Sequence, residues 1–189
     1  MKMANLLTLS RIFFAPLFIL FFLINTTWSL AICILIVFLI ELTDFFDGRV
    51  ARKREEITDF GKLMDPFADS VARFSIFLCF LDYELAPVWI IVIFFYRDVL
   101  VSVIRLFSIK FGVVVSARRS GKIKAWAQGL AIFAVLGLLL FDKLDLISWP
   151  VPLFAKWLII AAAVVTLWSG IDYWKANKHM FHRARKIER

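Results

Sequence analysis

ELTDFFDGRVARKREEITDFGKLMDPFADS, residues Glu41–Ser70, sets four aspartates, Asp44, Asp47, Asp65 and Asp69, between two strongly apolar stretches. On a helix, residues three or four apart share a face, so Asp44 pairs with Asp47 and Asp65 with Asp69. The polar stretch Lys53 to Thr58 is long enough to reverse the chain between the two pairs. Two antiparallel helices then aim four carboxylates into one space. Like charges gathered there take up protons or collect cations, and an all-oxygen cluster suits a hard divalent ion such as magnesium, manganese or calcium. Gly48 and Ala51 lie on the face of Asp44 and Asp47, where small side chains allow a ligand close to the backbone. Arg52, one turn beyond Gly48, is placed to pair with a phosphate. Glu55, Glu56 and Asp59 read as ordinary caps and surface ion pairs.

The flanking sequence is suited to lipid. Of 189 residues, 62% are hydrophobic, against about 45–50% in soluble domains. The mean hydropathy is +0.83. Six runs approach the ~20 apolar residues that a membrane-crossing helix needs: Leu6–Ile24, Trp28–Leu42, Met64–Leu81, Val88–Ile109, Ile123–Phe141 and Val151–Tyr173. The second is short unless its helix continues through the aspartate segment. The expected fold is all-α, an integral membrane bundle of six transmembrane helices.

The connections give its orientation. Arg49, Arg52, Lys53, Arg54 and Lys62 follow the second run, and Lys110, Arg118, Arg119, Lys122 and Lys124 lie around the fourth connection. Lys175, Lys178, Arg183, Arg185, Lys186 and Arg189 follow the last run. The alternate connections, Asn25–Trp28, Asp82–Glu84 and Asp142–Asp145, contain a single lysine. The positive-inside rule therefore puts both termini at the cytoplasmic face. The net charge of +8 is read as topology rather than as a nucleic-acid surface. Residues 1–175 form the membrane domain and 176–189 a basic tail, whose His179 and His182 read as a solvated segment near anionic headgroups. Cys33 and Cys79 sit in apolar runs and imply neither a disulfide nor a metal site. The N-terminal MKMANLLTLSRIFF lacks the small-residue cleavage pattern of a signal peptide.

The aspartate segment resembles the signature of the CDP-alcohol phosphotransferase family. Asp44, Asp47, Gly48, Ala51, Arg52, Gly61, Asp65 and Asp69 fill each of its fixed positions with the spacing intact. The resemblance implies a membrane enzyme in which Asp44, Asp47, Asp65 and Asp69 hold two divalent cations, Mg2+ or Mn2+. It implies a CDP moiety against Gly48, Gly61, Arg52 and Thr58, with Asn5 and Thr8 closing over it; an ordinary helix start is the alternative for the last two. Asp69 resembles the family's general base, which takes the proton of the acceptor hydroxyl. The family likeness also suggests a homodimer.

The segment Tyr96–Gly129 resembles the phosphatidylglycerophosphate synthase branch. Arg97-Asp98 stands for its Arg-Glu pair, Arg105 for a later arginine, and Gly121-Lys122-Ile123-Lys124-Ala125 for a Gly-Lys-x-Lys-Thr run. Asp for Glu and Ala for Thr are the departures. The implied substrates are CDP-diacylglycerol in the bilayer and glycerol 3-phosphate, with inositol phosphate or another polar alcohol as the alternative acceptor. Arg105, Arg118 and Lys122 are the candidates for the acceptor phosphate, set against plain positive-inside topology, which is the preferred reading for Lys110 and Lys124. Arg97 and Asp98 lie inside an apolar run, where charges are generally paired. The active site is expected at the cytoplasmic face, in the manner of a bacterial inner-membrane protein. A cation transporter and an inactive scaffold are the readings of other classes.

Overall fold

In the computed structural model the apolar runs fold, among the described residues, as six α-helices: α1 (Met3–Ile24), α2 (Thr27–Lys53), α3 (Asp59–Asp82), α4 (Val88–Lys110), α5 (Arg119–Lys143) and α6 (Val151–Ile187). The structure describes residues 3–53, 59–110 and 118–187, with side chains described for 10–43, 67–106, 108 and 118–178. Among the described residues there is no β-strand.

The second apolar run is short because its helix does not stop at Leu42 but continues through the aspartate segment to Lys53. Asp44, Asp47, Gly48 and Arg52 are thus on α2, and Gly61, Asp65 and Asp69 on α3. Thr58, and the rest of the reversal expected over Arg54–Thr58, lie outside the described residues. The last helix likewise passes the expected boundary at 175/176 without a break and runs to Ile187.

The three short polar connections use one device. Asn25, Glu84 and Asp145 have φ of 50°, 56° and 54°, the left-handed conformation that releases a chain from a helix. After α3, Leu85 N–H bonds to Phe80 O at 2.8 Å and Glu84 N–H to Leu81 O at 3.0 Å. After α5, Leu146 bonds to Phe141 O and Asp145 to Asp142 O, both at 3.0 Å. Each pair of bonds is a Schellman closure around a non-glycine residue. At the start of α2, Ser29 N–H bonds to Thr26 Oγ1 at 3.2 Å while Thr26 N–H bonds to Ser29 Oγ at 2.8 Å. This reciprocal cap satisfies two backbone donors that the helix leaves open.

Each device closes a helical hairpin, and three hairpins make the bundle. Helix α1 packs on α2 and α3, α2 on α5, α5 on α6, α6 on α4, and α4 on α3, which closes a ring. Phe22 joins the hairpins near the loop end, with ring centroids 5.8 Å from Phe80 and 4.9 Å from Tyr83. Phe77 meets Phe94 at 4.5 Å. Buried Ala155, Ala162 and Ala163 let α6 approach α5 closely.

The bundle has an apolar core, yet many large apolar side chains also face outward and a few charged ones are buried. Trp28 (83% exposed), Leu20, Trp126, Leu130, Trp157 and Val164 face outward, while Arg11, Arg73, Lys124 and Gln128 are buried. Outward-facing apolar side chains of this kind suit hydrocarbon as solvent. By length and composition, Arg119–Lys143 and Val151–Lys178 are able to cross a membrane, and Ser10–Ile24 and Thr27–Thr43 are shorter apolar segments.

The left-handed residues and the cap make opposite predictions. A non-glycine residue in this conformation costs roughly 1–2 kcal/mol, so Asp145→Gly is expected to raise the thermal midpoint in detergent. Loss of the cap in Thr26→Ala is expected to cost about 1 kcal/mol and lower it.

Candidate active site

Asp69 lies four residues before Arg73 on α3, so the two side chains share a face. Arg73 Nε bonds to Asp69 Oδ1 at 2.9 Å. The same guanidinium reaches two other helices, donating from Nη1 to Ala125 O of α5 at 2.8 Å and pairing through Nη2 with Glu41 of α2 at 3.0 Å. Arg73 is only 4% exposed, and a buried arginine is retained where a planar fork must satisfy several acceptors at once. The Glu41–Arg73 contact brings α2 and α3 together one turn along each helix from Asp44 and Asp69. The second carboxylate oxygen of Asp69, Oδ2, has no protein donor among the described residues.

A second network begins at Asp98 on α4. Lys124 Nζ bonds to both of its oxygens at 3.0 Å, Arg97 Nη1 to Oδ1 at 2.9 Å, and Ser70 Oγ to Oδ2 at 3.3 Å. Arg97 continues to Ser169 Oγ on α6 at 2.9 Å. The path of Arg97 requires small neighbours: a Cβ on Gly170 would stand 3.2 Å from Arg97 Cγ, and one on Gly121 3.4 Å from Nη2. The expectation that Arg97 and Asp98 are paired thus agrees with the geometry. The topological reading of Lys124 does not: the side chain is 4% exposed and turned into the bundle. Lys124 lies just inside the start of α5, where the helix turns this position toward Asp98 instead of toward the membrane surface.

A third cluster joins the start of α5 to α6. Arg118 donates from Nε and Nη2 to Asp172 Oδ2 and Oδ1 at 2.7 and 2.9 Å, and Ser120 Oγ donates to Oδ2 at 2.6 Å.

The three networks wall a cavity of about 320 Å³. Asp69, Arg105, Arg118, Lys122 and Lys124 all line it, with Tyr173 at one side. The residues singled out in the sequence as general base and as acceptor-phosphate ligands therefore share one space. The charges in that space do not cancel. Asp98 faces Arg97 and Lys124, Asp69 and Glu41 face Arg73, and Asp172 faces Arg118. Among the described residues Arg105 and Lys122 have no carboxylate partner.

Asn5, Thr8, Asp44, Asp47, Gly48, Arg52, Gly61 and Asp65 lie on described helices, but their side chains, and Thr58 altogether, lie outside the described residues. Of the four expected metal ligands only Asp69 has a described side chain, and among the described residues no group of three or more metal-ligating side chains occurs. A carboxylate at Asp69, bonded through Oδ1 to Arg73, is of the oxygen-donor type that a hard divalent ion takes. Sequence reading missed Glu41, Arg73 and Asp172. Their signal was available: each is a charge within or at the edge of an apolar run, and such charges are rare without a purpose.

The buried charges gather at the end of the helical bundle away from the short loops, and likeness to known proteins says what kind of enzyme this is. Residues 1–168 match the CDP-alcohol phosphatidyltransferase family model, and the chain belongs to that family of enzymes. Relatives along nearly the whole length carry the name CDP-diacylglycerol–glycerol-3-phosphate 3-phosphatidyltransferase. The one from Bacillus subtilis (strain 168) is 34% identical over 93% of this chain and 95% of its own. That from Rickettsia felis is 32% identical over 95% and 97%, and that from Pectobacterium atrosepticum 31% over 93% and 94%.

The Asp98 network gives a direct stability test. Asp98→Ala leaves Arg97 and Lys124 without their counter-charge and is expected to cost about 3–5 kcal/mol. Unfolding in detergent measures this, and an unchanged midpoint would show that the buried cations need no partner.

Proposed function

We propose that this chain transfers the phosphatidyl group of CDP-diacylglycerol to glycerol 3-phosphate, giving phosphatidylglycerophosphate and CMP. The observation that carries the acceptor is the charge of the cavity. Beside Asp69 stand two cations, Arg105 and Lys122, that no carboxylate among the described residues balances. A phosphate dianion supplies two negative charges and the oxygens that such donors accept. A neutral alcohol would bring no counter-charge to either cation.

The chemistry then follows from position. The phosphate of the acceptor is held by Arg105, Lys122 and Arg118, which orients its hydroxyl toward the open oxygen of Asp69. That oxygen takes the hydroxyl proton as the acceptor oxygen bonds to the lipid-side phosphorus of the diphosphate. The bond from that phosphorus to the CMP oxygen breaks, and CMP departs with the electron pair. Asp44, Asp47, Asp65 and Asp69 are the proposed ligands of two Mg2+ or Mn2+ ions, which when bound would neutralise the diphosphate and the leaving group. Gly48, Gly61, Arg52, Thr58, Asn5 and Thr8 are the proposed contacts of the CDP moiety.

The same reading sets the topology. All three networks lie at the end of the bundle opposite the three short loops. With six membrane spans and both termini cytoplasmic, this end meets water-soluble glycerol 3-phosphate while the donor's acyl chains stay in the bilayer. A homodimer in a bacterial inner membrane is the assembly and location this reading carries.

The test is release of CMP by purified protein supplied with CDP-diacylglycerol, manganese and one acceptor at a time. Glycerol 3-phosphate is expected to support turnover and glycerol not; turnover with inositol phosphate alone would move the chain to another acceptor. Chelation by EDTA is expected to stop the reaction and added manganese to restore it. Asp69→Asn is expected to lower kcat by about 10²–10⁴. Arg105→Gln and Lys122→Gln are each expected to raise KM for glycerol 3-phosphate by roughly tenfold, the loss of one charge-assisted hydrogen bond.

A further inference from the structure

Arg118, unlike Arg105 and Lys122, reaches the cavity already paired. Its Nε and Nη2 atoms grip the two oxygens of Asp172, and Ser120 adds a third hydrogen bond to the same carboxylate. This fork uses one edge of the guanidinium and leaves Nη1 and the second hydrogen of Nη2 as a free edge. Arg118 joins Arg105 and Lys122 in the cavity wall, whereas Asp172 itself is not part of that wall. With both oxygens engaged by Arg118 and Ser120, Asp172 has no role as a proton acceptor for the substrate.

We propose that Asp172 is a positioning residue for the acceptor, locking Arg118 so that its free edge receives the phosphate. The inference rests on reading the cavity as the acceptor-phosphate site. Two effects of Asp172 oppose one another. Its negative charge repels a phosphate, but this charge is largely spent on Arg118 and, in a partly exposed pair, is screened. Its fork also removes rotamer freedom from a long side chain, freedom that an unrestrained arginine would lose only on binding. The second effect is the larger, because arginine is among the side chains with most to lose. Asp172 therefore strengthens acceptor binding despite its sign.

The test is steady-state kinetics of the full chain with glycerol 3-phosphate and CDP-diacylglycerol. Asp172→Asn is expected to raise KM for glycerol 3-phosphate about fivefold or more, with kcat and the donor KM within about twofold. Asp172→Glu keeps the charge but displaces the fork by one methylene, so it is expected to raise the same KM. In an Arg118→Gln background neither change is expected to have a further effect, since the residue acts only through Arg118. An unchanged KM, additive effects in the double variant, or a rise with Asn but not Glu would overturn the positioning role. A lowered KM would show instead that Asp172 competes with the phosphate. If Asp172→Asn does not fold, the Glu variant, which retains the ion pair, decides alone. Wild-type turnover separates the two levels: its absence with glycerol 3-phosphate rejects the acceptor reading and this role with it, whereas its presence with unaltered variants rejects only the role of Asp172.

Discussion

A charge inside an apolar bundle must find its opposite, and this requirement ties helices α2 to α6 together at one end. Arg73 alone connects α2, α3 and α5, and Asp98 connects α3, α4 and α5. Arg97 carries the second network on to α6, and Asp172 joins α6 back to the start of α5. Apolar side chains facing hydrocarbon give little driving force for one helix to choose another. Polar contacts between particular side chains supply the choice. The helices are packed by aromatic rings and alanines toward the other end, but their neighbours are specified where the charges are.

Function is placed where the same requirement is only partly met. Most of the buried carboxylates and cations cancel, which keeps the frame stable without a ligand. Among the described residues two cations and one carboxylate oxygen are left over on the cavity wall, and these are the groups the proposed acceptor would use. A wholly balanced bundle would be inert, and one with many unbalanced charges would not assemble. The division between balanced and unbalanced groups is therefore also a division between scaffold and site.

The number of helices and the position of the three tight connections were legible in the sequence because apolar length and turn composition are local properties. The aspartate pattern was legible for the same reason: its spacing lies within 26 consecutive residues, Asp44 to Asp69. The ring order was not. Nothing local tells α2 to pack on α5, since that depends on where Arg73 finds a carbonyl and Glu41 finds a cation. Lys124 shows the limit most clearly. By composition it is one more lysine in a basic connection; only its helical register and Asp98, 26 residues earlier, make it an interior residue. Asp172 was similarly hidden, because its partner lies 54 positions away and sequence offers no measure of that separation.

The order of the ring has a consequence for how the protein is made. Synthesis delivers the hairpins α1–α2, α3–α4 and α5–α6 in turn, yet α2 has its ring neighbour in α5, and α4 has one in α6. When the first two hairpins have emerged, Glu41, Arg73, Asp69 and Ser70 can already meet, but Asp98 still lacks Lys124 and Arg97 lacks Ser169. Arg118 lacks Asp172 until the last helix arrives. The three networks are thus complete only once the last helix has joined the bundle, so the final third of the chain finishes what the first two hairpins begin.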